Sequence, residues 1–318
     1  MCFSAQVWED YERFIRKFGA TINFDAFARL YADRRAGQRV PIAKAMDAAF
    51  ARAPGAAGAR IREMIADFNM TQTAQLEAEI FKQRKRLAMA ERSLESKPTK
   101  KATEDQRIAR QKVSWALNKL SELRRDAPKP DDSRIFPGWY APVMLWENNQ
   151  RVVRPMRYGC RPAGKPALYD RKYPGTYNAR RDNLEGFWRG QFGCTHGVIV
   201  VNAFHENVSR HRVERRELAD GEREENVVLE FRPRPTQDML VACLWSQWTA
   251  SGEPDLWSFA AITDEPPPEI AAAGHDRCII PIKAEHVDAW LNPDGDIARS
   301  YAILDDRERP FYVHSMAA

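Results

Sequence analysis

Cys2 stands directly after Met1, so removal of the initiator methionine would place an α-amine and a thiol on one residue. The α-amine titrates at about 7.7–8.0 and a cysteine thiol at about 8.5, so both groups are nucleophiles near neutral pH. Together they can condense with an aldehyde: the amine forms an imine, and the thiol then closes a five-membered thiazolidine in an intramolecular step. Such a nucleophile needs an acid/base group and a group to orient the reacting atoms. Three short stretches offer them, "YNARRD" at 177–182, "NAFHEN" at 202–207 and "GHDRC" at 274–278. They supply the carboxamide of Asn178, the carboxylate of Glu206 and the imidazole of His275.

Each of these residues also has an ordinary structural reading. A second-position cysteine is a small residue tolerated by methionine removal, Asn178 stabilises a turn, Glu206 ends a strand in solvent, and His275 sits in a loop. Cys194 and His196 form a C-x-H pair, but no second pair lies at ligand spacing, and structural zinc takes four ligands. No metal or cofactor is therefore expected.

The elements that must position these residues fall into two textures. Residues 25–130 read as helical: Ile42, Ala45, Met46, Ala49 and Phe50 follow the i, i+3, i+4 rule, as do Val113, Ala116, Leu117 and Leu120. Leu76, Ile80, Leu87 and Leu94 continue the pattern until "SKPTKKATED" interrupts it, which predicts an antiparallel helical hairpin inserted in the chain. From about residue 133 the runs become short and β-rich: "PVMLWEN", "RVVRPMRYG", "GVIVVNAF", "NVVLEFRP", "MLVACLW", "SFAAIT" and "CIIPI". "AEHVDAWL" is the main helical signal there. The expectation is an α+β protein, one domain with a core from residues 1–24 and 131–318 and a helical insertion at 25–130.

The 318 residues suffice for a large core, and 44% hydrophobic with 29% charged residues is the composition of a soluble globular protein. No apolar run approaches a membrane span, and Glu9, Asp10 and Glu12 occupy the place where an export signal would be apolar. Five widely spaced cysteines, an odd number, point to reduced thiols and a cytoplasmic location. The net charge of +5 is local: residues 71–130 hold 15 Lys and Arg against eight Asp and Glu, while the rest of the chain is nearly balanced.

Cys2 after Met1, "NAR" at 178–180, "FHE" at 204–206 and "HDR" at 275–277 resemble the SRAP (SOS response-associated peptidase) family. "YAP" at 140–142, "MRYGCRP" at 156–162, "LWSQW" at 244–248 and "DAWLNP" at 288–293 follow in the same order as in that family. The resemblance implies a β-rich core with a barrel-like mixed sheet that binds single-stranded or junction DNA. It also implies a covalent thiazolidine crosslink between the N-terminal cysteine and an abasic site. Carried over residue by residue, Cys2 would be the nucleophile, Asn178 would hold the deoxyribose, Glu206 would be the acid/base, and His275 would assist sugar-ring opening. Autopeptidase activity would remove Met1, and AP-lyase activity could accompany the crosslink. Arg180, Arg277, Arg157 and Arg161 are the candidate phosphate ligands, and such a protein would be nucleoid-associated.

The chain departs from the family where Phe3 and Ser4 replace a glycine and an arginine, and where two tryptophans after "MRYG" and after the acidic residue are missing. Phe204, Tyr158 and Tyr169 are the aromatic residues that could replace them as base-stacking platforms. Two other functions use the same residues: an N-terminal-nucleophile amidase or peptidase, and a non-catalytic DNA-binding module. The partner of the helical insertion is not read from the sequence.

Overall fold

The structure, a computed structural model, describes residues 4–214 and 216–317. Cys2 and Phe3 therefore lie outside the described residues. Among the described residues, thirteen strands form one mixed sheet: β1 (Ser4–Val7), β2 (Thr21–Ile22), β3 (Arg134–Ile135), β4 (Tyr140–Glu147), β5 (Gln150–Tyr158), β6 (Asn178–Arg180) and β7 (His196–Ser209) precede β8 (Asn226–Arg234), β9 (Met239–Ala250), β10 (Glu253–Asp264), β11 (Cys278–Ile279), β12 (Pro281–Ile282) and β13 (Phe311–Met316). The α+β class and the mixed sheet expected from the sequence are present. Five strands close on themselves in the order β9–β10–β5–β4–β7–β9, with β10 and β5 parallel and the other joints antiparallel. The closure is a ring with strands branching from it rather than a regular barrel.

β7 explains most of this arrangement. Its first half, rich in valine and isoleucine, has both faces buried: Val198 and Val200 enter one core cluster, Ile199 and Val201 the other. That is the near-continuous apolar run expected of a central strand. Its second half leaves β4 and β9 and pairs instead with β1 and β8. The change of partners coincides with a bulge: β1 pairs Gln6 with Ala203 but Val7 with Val201, so Asn202 is the extra residue. Side chains alternate along a strand, and one extra residue exchanges the faces beyond it. Phe204 and Val208 consequently join the cluster that holds Ile199 and Val201, and Glu206 shares their alternation.

The helical segment begins with α1 (Tyr11–Phe18), α2 (Phe24–Arg35) and α3 (Lys44–Phe50), followed by the long α4 (Gly55–Ser96) and α5 (Lys100–Arg124). The antiparallel hairpin is present, with its break confined to residues 97–99 because Thr99 caps α5 by accepting from the Ala102 amide. Phe27, Tyr31, Met46, Phe50, Ile61, Met64 and Ile65 belong to the same buried cluster as Met144, Val153 and Trp290 of the sheet side. Farther along α4, Leu76 and Ile80 form a separate small cluster with Ala116 and Leu120 of α5. Among the described residues, no helix is long and apolar enough to cross a membrane.

Glu9, just after β1, is 3% exposed, and neither carboxylate oxygen has a hydrogen-bond partner among the described residues. Burial, reinforced by nearby Asp47, holds its carboxyl well above the usual range. A carboxyl raised on folding contributes stability that is complete below its unfolded value of about 4.3 and is lost as pH rises through the folded value. Glu9→Gln is therefore expected to raise the melting temperature at pH 8 by on the order of 3 °C, with a smaller gain at pH 5. Thermal melts at the two pH values check this; a gain that does not grow with pH refutes it.

Candidate active site

Glu206 and His275 come from distant parts of the chain and meet: His275 Nε2 lies 3.3 Å from Glu206 Oε2, with both side chains buried. The bulge at Asn202 selects the face of β7 that carries Glu206. His275 is delivered by a tight turn after the short helix Pro268–Ala272, where Gly274 has φ +94°. A Cβ at Gly274 would lie 2.9 Å from Val208 Cγ1 and 3.0 Å from Arg212 Cβ. Glycine thus serves twice, allowing the left-handed backbone and letting the turn press against the end of β7. His275 Nδ1 is 3.0 Å from the Arg277 carbonyl, which can only accept, so the ring donates there and Nε2 faces the carboxylate. A ring nitrogen and a carboxylate oxygen in this arrangement share a proton. Burial lowers the imidazole below its ordinary value, with the Arg277 carbonyl opposing that shift.

Asn178 opens β6, which runs parallel to β10 with Asn178 opposite Ala261. The same strand β10 pairs at its end with β11, which directly follows the His275 turn. Asn178 is 7% exposed, and neither its Oδ1 nor its Nδ2 has a hydrogen-bond partner among the described residues. A buried amide left unmatched costs about 1–3 kcal/mol.

The four arginines differ in availability. Arg180 is exposed and pairs with Asp182 at 2.5 Å, and Arg277 pairs with Asp276 at 3.2 Å. Arg157 and Arg161 are mostly buried and both bind Asp170, at 2.7 and 2.6 Å, while Arg161 also stacks 4.3 Å over Trp248. Two guanidiniums on one carboxylate leave a net positive charge in place without a swinging side chain.

Three expected aromatic platforms fare unequally. Phe204 and Tyr158 are interior residues, packed on Phe231 and Phe259 respectively, and cannot stack on bases. Tyr169 lies at the surface with its ring 4.6 Å from that of Tyr173.

Beside the expected residues is a polar set that sequence reasoning missed. His205, which β1 pairs with Ser4, lies 3.3 Å from Glu230, and Arg134 donates to Ser4 Oγ at 2.9 Å. Gln6 donates to Glu230 and accepts from Arg232 at 2.8 Å. Burial, then Arg134, lowers the His205 imidazole. These contacts fasten β1, the strand that leads back to Cys2, and the signal for them was the alternation in "FHE", which sends His205 and Glu206 to opposite faces. His196 is a structural residue: Nε2 accepts from the Gly193 amide, the ring stacks 4.0 Å from Trp290, and burial takes it down to about 3. Among the described residues, the one convergent set of metal-capable side chains is Glu285, His286 and Asp306, but Lys283 and His286 already pair with Asp306.

A ringed mixed sheet thus carries a buried carboxyl–imidazole pair on β7, the strand with which the N-terminal strand β1 pairs. The family model described as SOS response associated peptidase (SRAP) matches residues 83–315, and the chain belongs to that family. Membership links the protein to the response to DNA damage and to a peptidase-associated fold. Among solved structures, a protein from Bordetella bronchiseptica is similar at 16% identity and TM-score 0.46, over 61% of this chain and 89% of that one. A phage-related protein from the same organism follows at 16% identity and TM-score 0.44, over 58% and 81%. A protein from Bacteroides thetaiotaomicron is similar at 13% identity and TM-score 0.44, over 54% and 72%. No curated protein matches this chain.

Proposed function

We propose that the protein binds single-stranded or junction DNA and crosslinks abasic sites covalently through Cys2 once Met1 is removed. The observation that carries the reading is the buried pair at 3.3 Å, Glu206 and His275, assembled one residue from His205, where β1 begins at Ser4. Only one residue separates Cys2 from Ser4 in the sequence.

The chemistry balances without a cofactor. The neutral Cys2 amine adds to C1′ of the ring-opened sugar aldehyde, giving a carbinolamine. Loss of one water, its oxygen protonated by the Glu206–His275 pair, leaves the imine. The Cys2 sulfur then adds to the imine carbon as its proton passes to nitrogen, closing the thiazolidine. Asn178 supplies an unmatched amide for the deoxyribose, Arg180 and Arg277 supply phosphate contacts, and Arg157 and Arg161 contribute positive potential through the charge left beside Asp170. Removal of Met1 is assigned to the same residues as autopeptidase activity, and β-elimination at the imine stage would give AP-lyase activity.

The test uses the full-length protein with two single-stranded oligonucleotides that differ only by an abasic site. A denaturation-resistant band on the abasic strand alone is the expected result, and its absence with protein shown by intact mass to lack Met1 overturns the reading.

A further inference from the structure

We infer that the outer part of the α4–α5 hairpin is a second DNA-binding element, taking the phosphate backbone of duplex DNA that flanks the lesion. The inference rests on the DNA-binding reading above but on none of the residues used there. Beyond Leu76 the hairpin no longer shares the core; its seam is its own, with Ile80, Ala116 and Leu120 at one level and Ala90, Ala102 and Ala109 buried toward the tip. Residues 76–96 make an arm of about 30 Å, close to one turn of B-DNA.

Charge on this arm is far from balanced. Residues 82–112 contain 11 Lys and Arg against four Asp and Glu. Three of those four acids are already matched, Asp105 with Arg86, Glu91 with Arg110 and Glu104 with Arg107. The surplus lysines frame a groove of about 430 Å³ near the tip, lined by Lys82, Lys85, Arg86, Met89 and Lys101 with Asp105 as its one acid. A concave strip of cations on a rigid arm fits a polyanion with one charge per ~1.7 Å of axis. A membrane surface fits less well, because between residues 82 and 112 Met89 is the one exposed large apolar residue, while Phe81, Trp115 and Leu117 lie farther from the tip, so the outer arm has no continuous apolar face of the kind an interfacial helix needs. The groove offers no array of buried amide or carboxylate side chains, so the contact is to backbone and independent of sequence.

The experiment compares the full-length protein with a Lys82→Glu, Lys85→Glu, Lys101→Glu variant, all exposed positions. Two DNAs carry one abasic site each: a single strand of about 8 nucleotides, and a junction with about 20 base pairs of flanking duplex, long enough to meet the arm. Fluorescence anisotropy across a salt series on the junction is expected to show at least tenfold weaker binding for the variant. Its slope of log K against log salt should be shallower by about 2.7, three contacts at ~0.9 each. Crosslinking of the short strand should proceed at the unaltered rate. A Gln triple variant should show a smaller loss of the same sign. Unchanged affinity and slope on the junction overturn the inference, as does a variant that binds DNA normally but no longer binds phosphatidylserine vesicles. Failure of the crosslinking reading is separate: it leaves both strands free of covalent product, while undamaged duplex still reports the arm.

Discussion

Cys2→Ala is expected to abolish the denaturation-resistant adduct on abasic single-stranded DNA while preserving a weaker, reducible attachment. The reasoning separates the two nucleophiles of one residue. Alanine at position 2 keeps the amine after methionine removal, so imine formation persists, but the ring cannot close without sulfur. Ring closure is what makes the product durable, because an intramolecular addition enjoys an effective molarity of order 10⁵ M or more over an external thiol. Under denaturing electrophoresis without reductant the variant should therefore show no band, a loss of at least 100-fold against the native chain. Borohydride added during the reaction should trap an amine-linked product from the same variant. A stable adduct with Cys2→Ala in the absence of borohydride would remove Cys2 from the chemistry. Loss of both products while DNA binding survives would point to a binding module that makes no covalent bond.

How much of this was legible in the chain depends on the range of the forces involved. Elements set by local pattern were: the runs at "GVIVVNAF", "MLVACLW" and "SFAAIT" are β7, β9 and β10, and the hairpin breaks within the polar stretch that contains Pro98. The helix Ile297–Asp305 was missed although Asp296 caps it by accepting from the Arg299 amide, a signal present in the sequence. The leucine repeat misled in one respect: Leu87 and Leu94 are only partly buried, and the outer seam closes instead on alanines. The site itself was legible as residue types but not as geometry. Nothing in a period-of-two pattern announces that Asn202 is an extra residue, yet that bulge decides whether Glu206 or His205 faces His275. The surplus of positive charge at 71–130 was visible as a count; that its outer part frames a groove depends on which acids pair across the two helices.

Glu206→Gln is expected to slow crosslinking by 10²–10⁴-fold, the usual contribution of a positioned acid/base group, with little change in DNA affinity. Glutamine matches the buried shape and keeps a hydrogen-bonding atom toward His275 Nε2, but it cannot deliver and recover a proton. The pH profile gives the sharper reading. In the native protein burial lowers the His275 imidazole, so it stays neutral where an exposed histidine would already have charged. The sign is that of a depressed group: its contribution to the site is present above the ordinary value of about 6.5 and is lost as pH falls through the lower folded value. Between pH 6 and pH 8 the rate should accordingly rise only with the fraction of neutral Cys2 amine, whose ordinary value is about 7.7–8.0, and flatten above it. In Glu206→Gln the same amine-controlled slope should persist at the reduced rate, because the substitution removes the proton carrier and not the nucleophile. Single-turnover measurements at saturating abasic DNA separate these effects from binding. A variant that crosslinks at the native rate would show that the buried pair only holds the turn at Gly274 against β7 and takes no part in the proton transfers.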